Sequence, residues 1–269
     1  VRIRNLGGTC QVIHGNVTLV APVSPAITSV TPANPSNCGV NDGTITVVAT
    51  GVSTEYSING GLTWQATGNF TNLASGTYYV SVRNTDGTCT VLYTSNPVTL
   101  TAPNAPSITN VSSTNPTNCG LVNGTITVST TGGTAPLEYS IDNGATWAAN
   151  GGSFTGLNGG TYNIKVRNAG GTCIINGQVV TLTAPVAPVI SNVAATNISN
   201  CGFTDGTITI TASGSGTLQY SINGGTTWVQ SGTFTGLTAG TYQIRVRNIN
   251  GTCTVSAANV TITAPVQPT

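Results

Sequence analysis

The stretch "YSINGGLTW", Tyr56 to Trp64, returns as "YSIDNGATW" at Tyr139 to Trp147 and as "YSINGGTTW" at Tyr220 to Trp228. Each copy has a short apolar-polar alternation, an Asn-Gly pair and a large aromatic. Asn59-Gly60, Asn143-Gly144 and Asn223-Gly224 are expected to supply the positive φ angles of a two-residue hairpin turn between strands. A hairpin that recurs with its flanks implies that the domain containing it recurs.

The flanks bear this out. "NCG" recurs at Cys38, Cys119 and Cys201; "DGTIT" or "NGTIT" follows at Asp42, Asn123 and Asp205; "GTY" recurs at Gly76, Gly160 and Gly240. "GTC" ends at Cys10, Cys89, Cys173 and Cys253. The period is about 80 residues, within the size range of a small domain. Each unit closes on "TLTAP" or "TITAP" and reopens at a proline: Pro103 to Pro106, Pro185 to Pro188, Pro265 to Pro268. Linkers this short and proline-bounded predict stiff connections and a linear rod. The expected domains are therefore 24–103, 104–185 and 186–265. Residues 1–23 match the C-terminal strands of a truncated preceding repeat, and 266–269 the start of a following one. This phase is expected of a window cut from a longer array, rather than of a fragment completed by a neighbouring chain.

Apolar residues alternate with polar ones in "GTITVVAT", "GTYYVSVRN" and "GTYQIRVRN", and no helical periodicity is present. In the first unit the pattern predicts strands near Ala26–Val30, Gly43–Thr50, Glu55–Asn59, Thr63–Ala66, Phe70, Thr77–Asn84 and Cys89–Leu100. Six or seven short strands in so short a unit indicate an all-β fold of tandem immunoglobulin-like sandwiches. Tyr78, Tyr162 and Tyr242 follow an L-x-x-G corner and resemble the tyrosine corner of such sandwiches.

Only 5% of the 269 residues are charged and the formal net charge is +1. Ordinary globular chains carry about 25%. No like-charge run supports nucleic-acid or anionic-membrane binding, and no apolar stretch reaches the roughly 18 to 20 residues of a membrane helix. Neither partner is expected. All seven cysteines sit at repeat-locked positions, which points to an oxidising, extracellular setting. The simplest pairing joins Cys38 to Cys89, Cys119 to Cys173 and Cys201 to Cys253 within each unit, leaving Cys10 to a residue upstream. A loop of about 50 residues closed in this way contributes roughly 4 kcal/mol on chain-entropy grounds. Immunoglobulin-like topology argues the other way. It places the loop before the second strand and the hairpin before the last strand at opposite ends, favouring a bridge between neighbouring units.

Catalytic groups are scarce: one histidine (His14), one lysine (Lys165), two glutamates and four aspartates. His14 lies in the fragment and is not repeated. Glu55 and Glu138 share a position that Gln219 takes in the third unit, so no carboxylate pair or triad is preserved. Cysteines this far apart are unlike zinc ligands, and Asp42, Asn123 and Asp205 read as Asx turns leading into strands rather than calcium ligands. Intramolecular isopeptide bonds need a lysine in each domain, and Lys165 serves one only. No enzyme activity, metal or cofactor is expected. Arg4, Arg83, Arg167 and Arg247 share one position, where a guanidinium covers an aromatic or ties down a carbonyl. Trp64, Trp147 and Trp228 are the candidate ligand residues, by stacking on a sugar ring, or else they cap the sheet or fill the contact between units.

The ordered set "NCGVNDGTITV", "YSINGGLTW", "FTNLASGTYYVSVRN", "GTC" and "VTLTAP" resembles the SprB-type repeat of Bacteroidota surface adhesins, over all three units and the fragment. The family usually shows a single "GC" where this chain has "GTC", and often aspartate where it has Asn84, Asn168 and Asn248. The resemblance implies tandem repeats carried outward from the cell surface, secretion by the type IX system, and roles in gliding motility and attachment. It carries over no catalytic residue. The expected function is therefore a non-enzymatic structural or adhesive segment of a secreted filament or stalk. Its partners would be neighbouring repeats, other copies packed laterally in a fibre, or surface glycans. The alternative is an array of carbohydrate-binding modules that uses the repeated tryptophans and arginines.

Overall fold

The computed structural model describes residues 2–8 and 10–266. The expected opening of a further repeat at 266–269 lies outside these, apart from Val266. By internal contacts the chain divides into two units, Val1–Asn104 and Ala105–Thr269. The first holds an exposed hairpin, Arg2–Arg4 paired with Gln11–Ile13, and one sandwich; the second holds two sandwiches.

The sandwich after Ala105 shows the plan. Pro106–Thr114, Gly124–Gly132 and Ser153–Leu157 form one sheet in that order; Leu137–Ser140, Gly160–Asn168 and Ile175–Leu182 form the other. Every ladder between these strands is antiparallel. This is the connectivity of a constant-type immunoglobulin domain without its fourth strand. The last sandwich repeats it with Val189–Thr196, Gly206–Ser213 and Thr233–Leu237 against Leu218–Ser221, Arg245–Asn248 and Val255–Ser256. The first does so with Ala26–Ala33, Gly43–Thr50 and Asn69–Leu73 against Thr54–Ser57, Ser81–Asn84 and Val91–Leu92.

The "GTIT" motif produces this packing through its period of two. Ile45 and Val47, Ile126 and Val128, and Ile208 and Ile210 all point into a core, while the intervening threonines face outward or lie half-buried. Ile164, Val166, Val180 and Leu182 close the second core from the opposite sheet, with matching clusters in the other two sandwiches. The tyrosine corners are formed: Tyr78, Tyr162 and Tyr242 donate their hydroxyls to the carbonyls of Ala74, Asn158 and Thr238 at 2.8, 2.9 and 2.8 Å.

The opening motif folds differently from a two-residue hairpin. Tyr56 exchanges both backbone hydrogen bonds with Gln65, and the chain between them is a loop rather than a tight turn. The expected strand at Thr63–Ala66 is reduced to this single bridge. The positive φ angles fall at Gly60 and Gly61, at Asn143 and Gly144, and at Gly224 and Gly225. The turn is thus one residue later than Asn59-Gly60 and Asn223-Gly224, because Asn59 and Asn223 act through their side chains. Asn59 Oδ1 accepts from the Thr63 backbone at 3.0 Å, and Asn59 Nδ2 donates to the Thr63 hydroxyl at 2.7 Å. The buried Ser57 hydroxyl completes the loop, donating to Asn59 Oδ1 at 2.9 Å and accepting from Gly61 N–H at 2.9 Å. An asparagine with this job satisfies the loop and leaves φ > 0 to glycine.

A second glycine position is set by close approach. Gly152 accepts from Val128 N–H at 2.8 Å, and a Cβ on it would stand 2.1 Å from the Val128 carbonyl oxygen. Gly68 and Gly232 meet Val47 and Ile210 in the same way. Gly152→Ala is expected to cost about 3 kcal/mol in urea unfolding, from the steric conflict and the φ of +81° together. Gly151→Asn has open space and a φ of +67°, which asparagine tolerates, so it should cost under about 1 kcal/mol. Equal effects of the two substitutions would contradict this packing.

Candidate functional site: the repeat junction and the arginine–tryptophan stacks

Each Asn-Cys-Gly loop is held from two sides by short polar side chains. In the sandwich after Ala105, Asn123 accepts from Thr117 N–H at 3.0 Å and donates to the Thr117 hydroxyl at 2.8 Å. Asp42 with Ser36, and Asp205 with Ser199, make the same clasp with a carboxylate. The serine hydroxyl and then its backbone N–H hold both aspartates below the usual carboxylate range. Across the loop, Asn115 Oδ1 accepts from Thr183 N–H at 2.9 Å, and Asn197 from Thr263 likewise at 2.9 Å. Loop and outgoing "TAP" segment are therefore one rigid corner.

The Gly-Thr-Cys hairpin is built by similar means. Asn248 N–H donates to the Thr252 carbonyl at 3.0 Å, while Asn250 Oδ1 accepts from the Thr252 backbone and hydroxyl at 3.2 and 2.8 Å. Cys253 follows with a φ of +58°.

In the unit Ala105–Thr269 these two devices meet. Cys119 of one sandwich is disulfide-bonded to Cys253 of the next, with a Cα–Cα distance of 5.1 Å and a sequence separation of 134. Asn118 Oδ1 accepts N–H bonds from both Cys119, at 2.8 Å, and Cys253, at 2.6 Å. One carboxamide therefore grips both ends of the bond. The Pro185 carbonyl oxygen, in the linker between the two sandwiches, lies 3.0 Å from Cys119 Sγ.

This overturns the pairing within units. Cys119 does not bond Cys173, Cys201 does not bond Cys253, and Cys38 does not bond Cys89; Cys89, Cys201 and Cys10 are free thiols. The reason is length. The loop of Cys119 sits where Ile175–Leu182 ends and the hairpin of Cys173 where it begins. At about 3.3 Å per residue that strand separates the two by roughly 25 Å, and a disulfide needs Cα atoms within about 7 Å.

The tryptophans and arginines form a second repeated arrangement. The Arg83, Arg167 and Arg247 guanidinium carbons lie 4.3, 4.0 and 4.1 Å from the ring centroids of Trp64, Trp147 and Trp228. Each arginine is steered by its cross-strand neighbour. Arg83 pairs with Glu55 at 2.9 Å, Arg167 with Glu138 at 2.6 Å, and Arg247 donates to Gln219 Oε1 at 2.8 Å. The indoles are half-buried, and Trp147 Nε1 donates to the Gly144 carbonyl at 3.0 Å. One face of each ring is thus covered by a cation from its own sandwich.

Asp142 replaces Asn59 and Asn223 in the middle copy of the opening motif. Its carboxylate accepts from the Thr146 hydroxyl and N–H at 2.5 and 2.9 Å and from the Ser140 hydroxyl at 2.7 Å, and these bonds bring its pKa down to about 2. His14 is exposed on the N-terminal segment, and among the described residues no cluster of three metal-ligating side chains forms. Sequence reading missed Asn118 and the repeated Ser57, Ser140 and Ser221. Their signal was present as the invariable asparagine before each "CG" cysteine and the serine after each "Y" of "YSI".

Fold and junction together define tandem immunoglobulin-like sandwiches, the second and third of which are bonded covalently. Residues 110–146, from the first strand of the second sandwich through the Asp142 turn, carry an SprB repeat, matching the model of that family. Among solved structures, the chain is similar to the N-terminal eight Ig domains of Down syndrome cell adhesion molecule isoform 1.30.30. Identity there is 15%, over 98% of this chain and 39% of that one, with a TM-score of 0.44. It is also similar to Sidekick-1 immunoglobulin domains 1–5 (17%, 91% and 60%, 0.31) and to domains 1–6 of the surface layer protein SbsC (16%, 92% and 41%, 0.25). The chain spans less than two thirds of each of these three. No curated protein matches it.

Two outcomes test the site. Arg167→Ala removes both a stacked cation and a half-exposed ion pair, and is expected to cost about 1 to 2 kcal/mol and to shift the tryptophan emission. An unchanged melting temperature and spectrum would contradict the stack. Asp142 has a depressed pKa in the folded chain, so its contribution is present above the unfolded value of 3.8 and is lost as pH falls through about 2. Wild type and Asp142→Asn should therefore melt alike near pH 6, with the wild type dropping below the variant between pH 4 and 2. An Asp142 carboxyl that titrates near 3.8 by NMR would refute this.

Proposed function

We propose that the chain is a non-enzymatic, mechanical segment of an extracellular surface filament or stalk, serving attachment or motility. The Cys119–Cys253 bond carries this reading. A pulling force that enters at the first strand of the second sandwich crosses the disulfide and leaves along the last strand of the third. The chain between, including the proline linker, is bypassed. On chain-entropy grounds closing so long a loop contributes about 5 kcal/mol against unfolding. The SprB repeat at residues 110–146 and the disulfide support a location on the cell surface, where such bonds persist. The low charge and threonine-rich faces suit lateral packing with other copies. The alternative of glycan binding through the tryptophans is less well supported, because a guanidinium occupies one face of every indole.

Single-molecule pulling on the full chain, with the attachment points at Ala105 and Ala264 so that Cys119–Cys253 alone shortens the path between them, tests the proposal. With the bond intact, complete unfolding should leave the extended chain shorter by roughly 450 Å than after reduction, since about 3.5 Å per residue is withheld across the loop. Cys119→Ser should behave as the reduced chain. Equal lengths in oxidised and reduced material would overturn the reading. So would a free Cys119 thiol in protein recovered from cell surfaces without reductant.

A further inference from the structure

Cys201 and Cys89 repeat the two halves of the bonded junction, but each lacks the other half. Cys201 N–H donates to Asn200 Oδ1 at 2.8 Å, as Cys119 does to Asn118. Cys201 Sγ lies 3.3 Å from the Pro265 carbonyl oxygen, as Cys119 Sγ lies 3.0 Å from that of Pro185. The clasps of Asp205 and Asn197 hold this corner as Asn123 and Asn115 hold the other. What differs is the second donor. Asn118 Oδ1 also takes the Cys253 N–H, whereas among the described residues Asn200 Oδ1 takes the Cys201 N–H alone.

Cys89 mirrors Cys253. Its φ is +55° against +58°. Its hairpin is closed by Asn84 N–H to the Thr88 carbonyl at 3.0 Å, as Asn248 closes on Thr252. Asn84 Nδ2 donates to the Val23 carbonyl at 3.1 Å, as Asn248 Nδ2 donates to Val186 at 3.1 Å. Cys89 Sγ rests 3.7 Å from the carbonyl oxygen of the linker residue Pro22.

We propose that the Asn200–Cys201 corner is a covalent docking site for the Gly-Thr-Cys hairpin of a further repeat of this type, and that Cys89 is the complementary half. The inference rests on the array reading above and gives it a rule: the Asn-Cys-Gly cysteine of one repeat bonds the Gly-Thr-Cys cysteine of the next. The corner positions its thiol beside the linker carbonyl, and the spare lone pair of Asn200 orients the incoming cysteine by its N–H. The oxidant is a small-molecule or protein disulfide. One cysteine thiolate attacks it, forms a mixed disulfide and expels a thiolate. The second cysteine thiolate then attacks the protein sulfur of the mixed disulfide and expels the other. The two cysteine protons end on the two released thiols, so two cysteines are oxidised and one disulfide is reduced.

The test is an in-phase tandem in which residues 26–269 follow residue 268 of a first copy. Cys89→Ser in the first copy and Cys201→Ser in the second leave one Cys201 and one Cys89, both at the new junction, with Cys10 as competitor. After refolding in a glutathione disulfide buffer, peptide mapping without reduction should find Cys201 of the first copy bonded to Cys89 of the second. That bond should exceed any Cys201–Cys10 product at least tenfold. If both copies keep Cys119–Cys253 while Cys201 stays alkylatable or bonds Cys10, the docking rule is overturned and the array reading stands. If neither copy forms Cys119–Cys253, both fail.

Discussion

One carboxamide oxygen holds the second and third sandwiches in register. Asn118 Oδ1 accepts N–H groups from Cys119, in its own loop, and from Cys253, in the neighbouring domain. A hydrogen bond between neutral groups contributes only about 1 kcal/mol on balance, so the oxygen does not hold the domains together by itself. It sets the approach of two cysteine backbones, and the disulfide then makes the arrangement permanent. Each remaining part of the corner serves that approach: Asn123 braces the loop, Asn115 ties the departing strand to it, and Cys253, itself buried, adopts a left-handed conformation.

The sandwich itself was legible in the sequence because its signal is redundant. "GTIT" alternates with a period of two in three copies, and the buried Ile-x-Val or Ile-x-Ile of each copy leaves one face only for the core. Cys119 and Cys253 were rightly expected to be bonded but were misread as to partner, and Cys89 and Cys201, also expected to be bonded, are free thiols. Loop-closure entropy favours any pairing of suitable length and cannot tell which end of a strand a cysteine occupies. The topological argument could, since an eight-residue strand lies between the loop and the hairpin of one unit. Where chain entropy and sandwich topology disagreed, topology decided.

The opening motif was read correctly as a turn, and Asn143-Gly144 turns as expected, but in the other two copies the turn falls one residue later than Asn59-Gly60 and Asn223-Gly224. Asn-Gly is ambiguous, because asparagine can adopt a positive φ or can brace a loop with its side chain. In "YSINGG" the second glycine takes the additional positive φ and frees Asn59 to bond Thr63; in "YSIDNG" the asparagine itself is left-handed and the aspartate braces. The deciding residue is the serine, whose hydroxyl is buried beneath the loop and serves donor and acceptor at once. Buried polar groups persist only when satisfied, so a serine two residues before the bracing side chain fixes the register of the loop.

The three sandwiches also show why so few charges suffice. Where the first uses Asp42 to clasp Ser36, the second uses Asn123 on Thr117 with the same geometry. Where the first two steer an arginine onto tryptophan with Glu55 and Glu138, the third uses Gln219. In each exchange the hydrogen bond is kept and the charge is dropped. Half-exposed ion pairs contribute less than about 1 kcal/mol and are screened by salt, whereas neutral clasps are indifferent to ionic strength and to most changes of pH. A segment held by carboxamides, hydroxyls and a disulfide therefore keeps its geometry across changes of salt and of pH. The cation that remains at every copy is the one over the indole, where its contact with the ring does not depend on a charged partner.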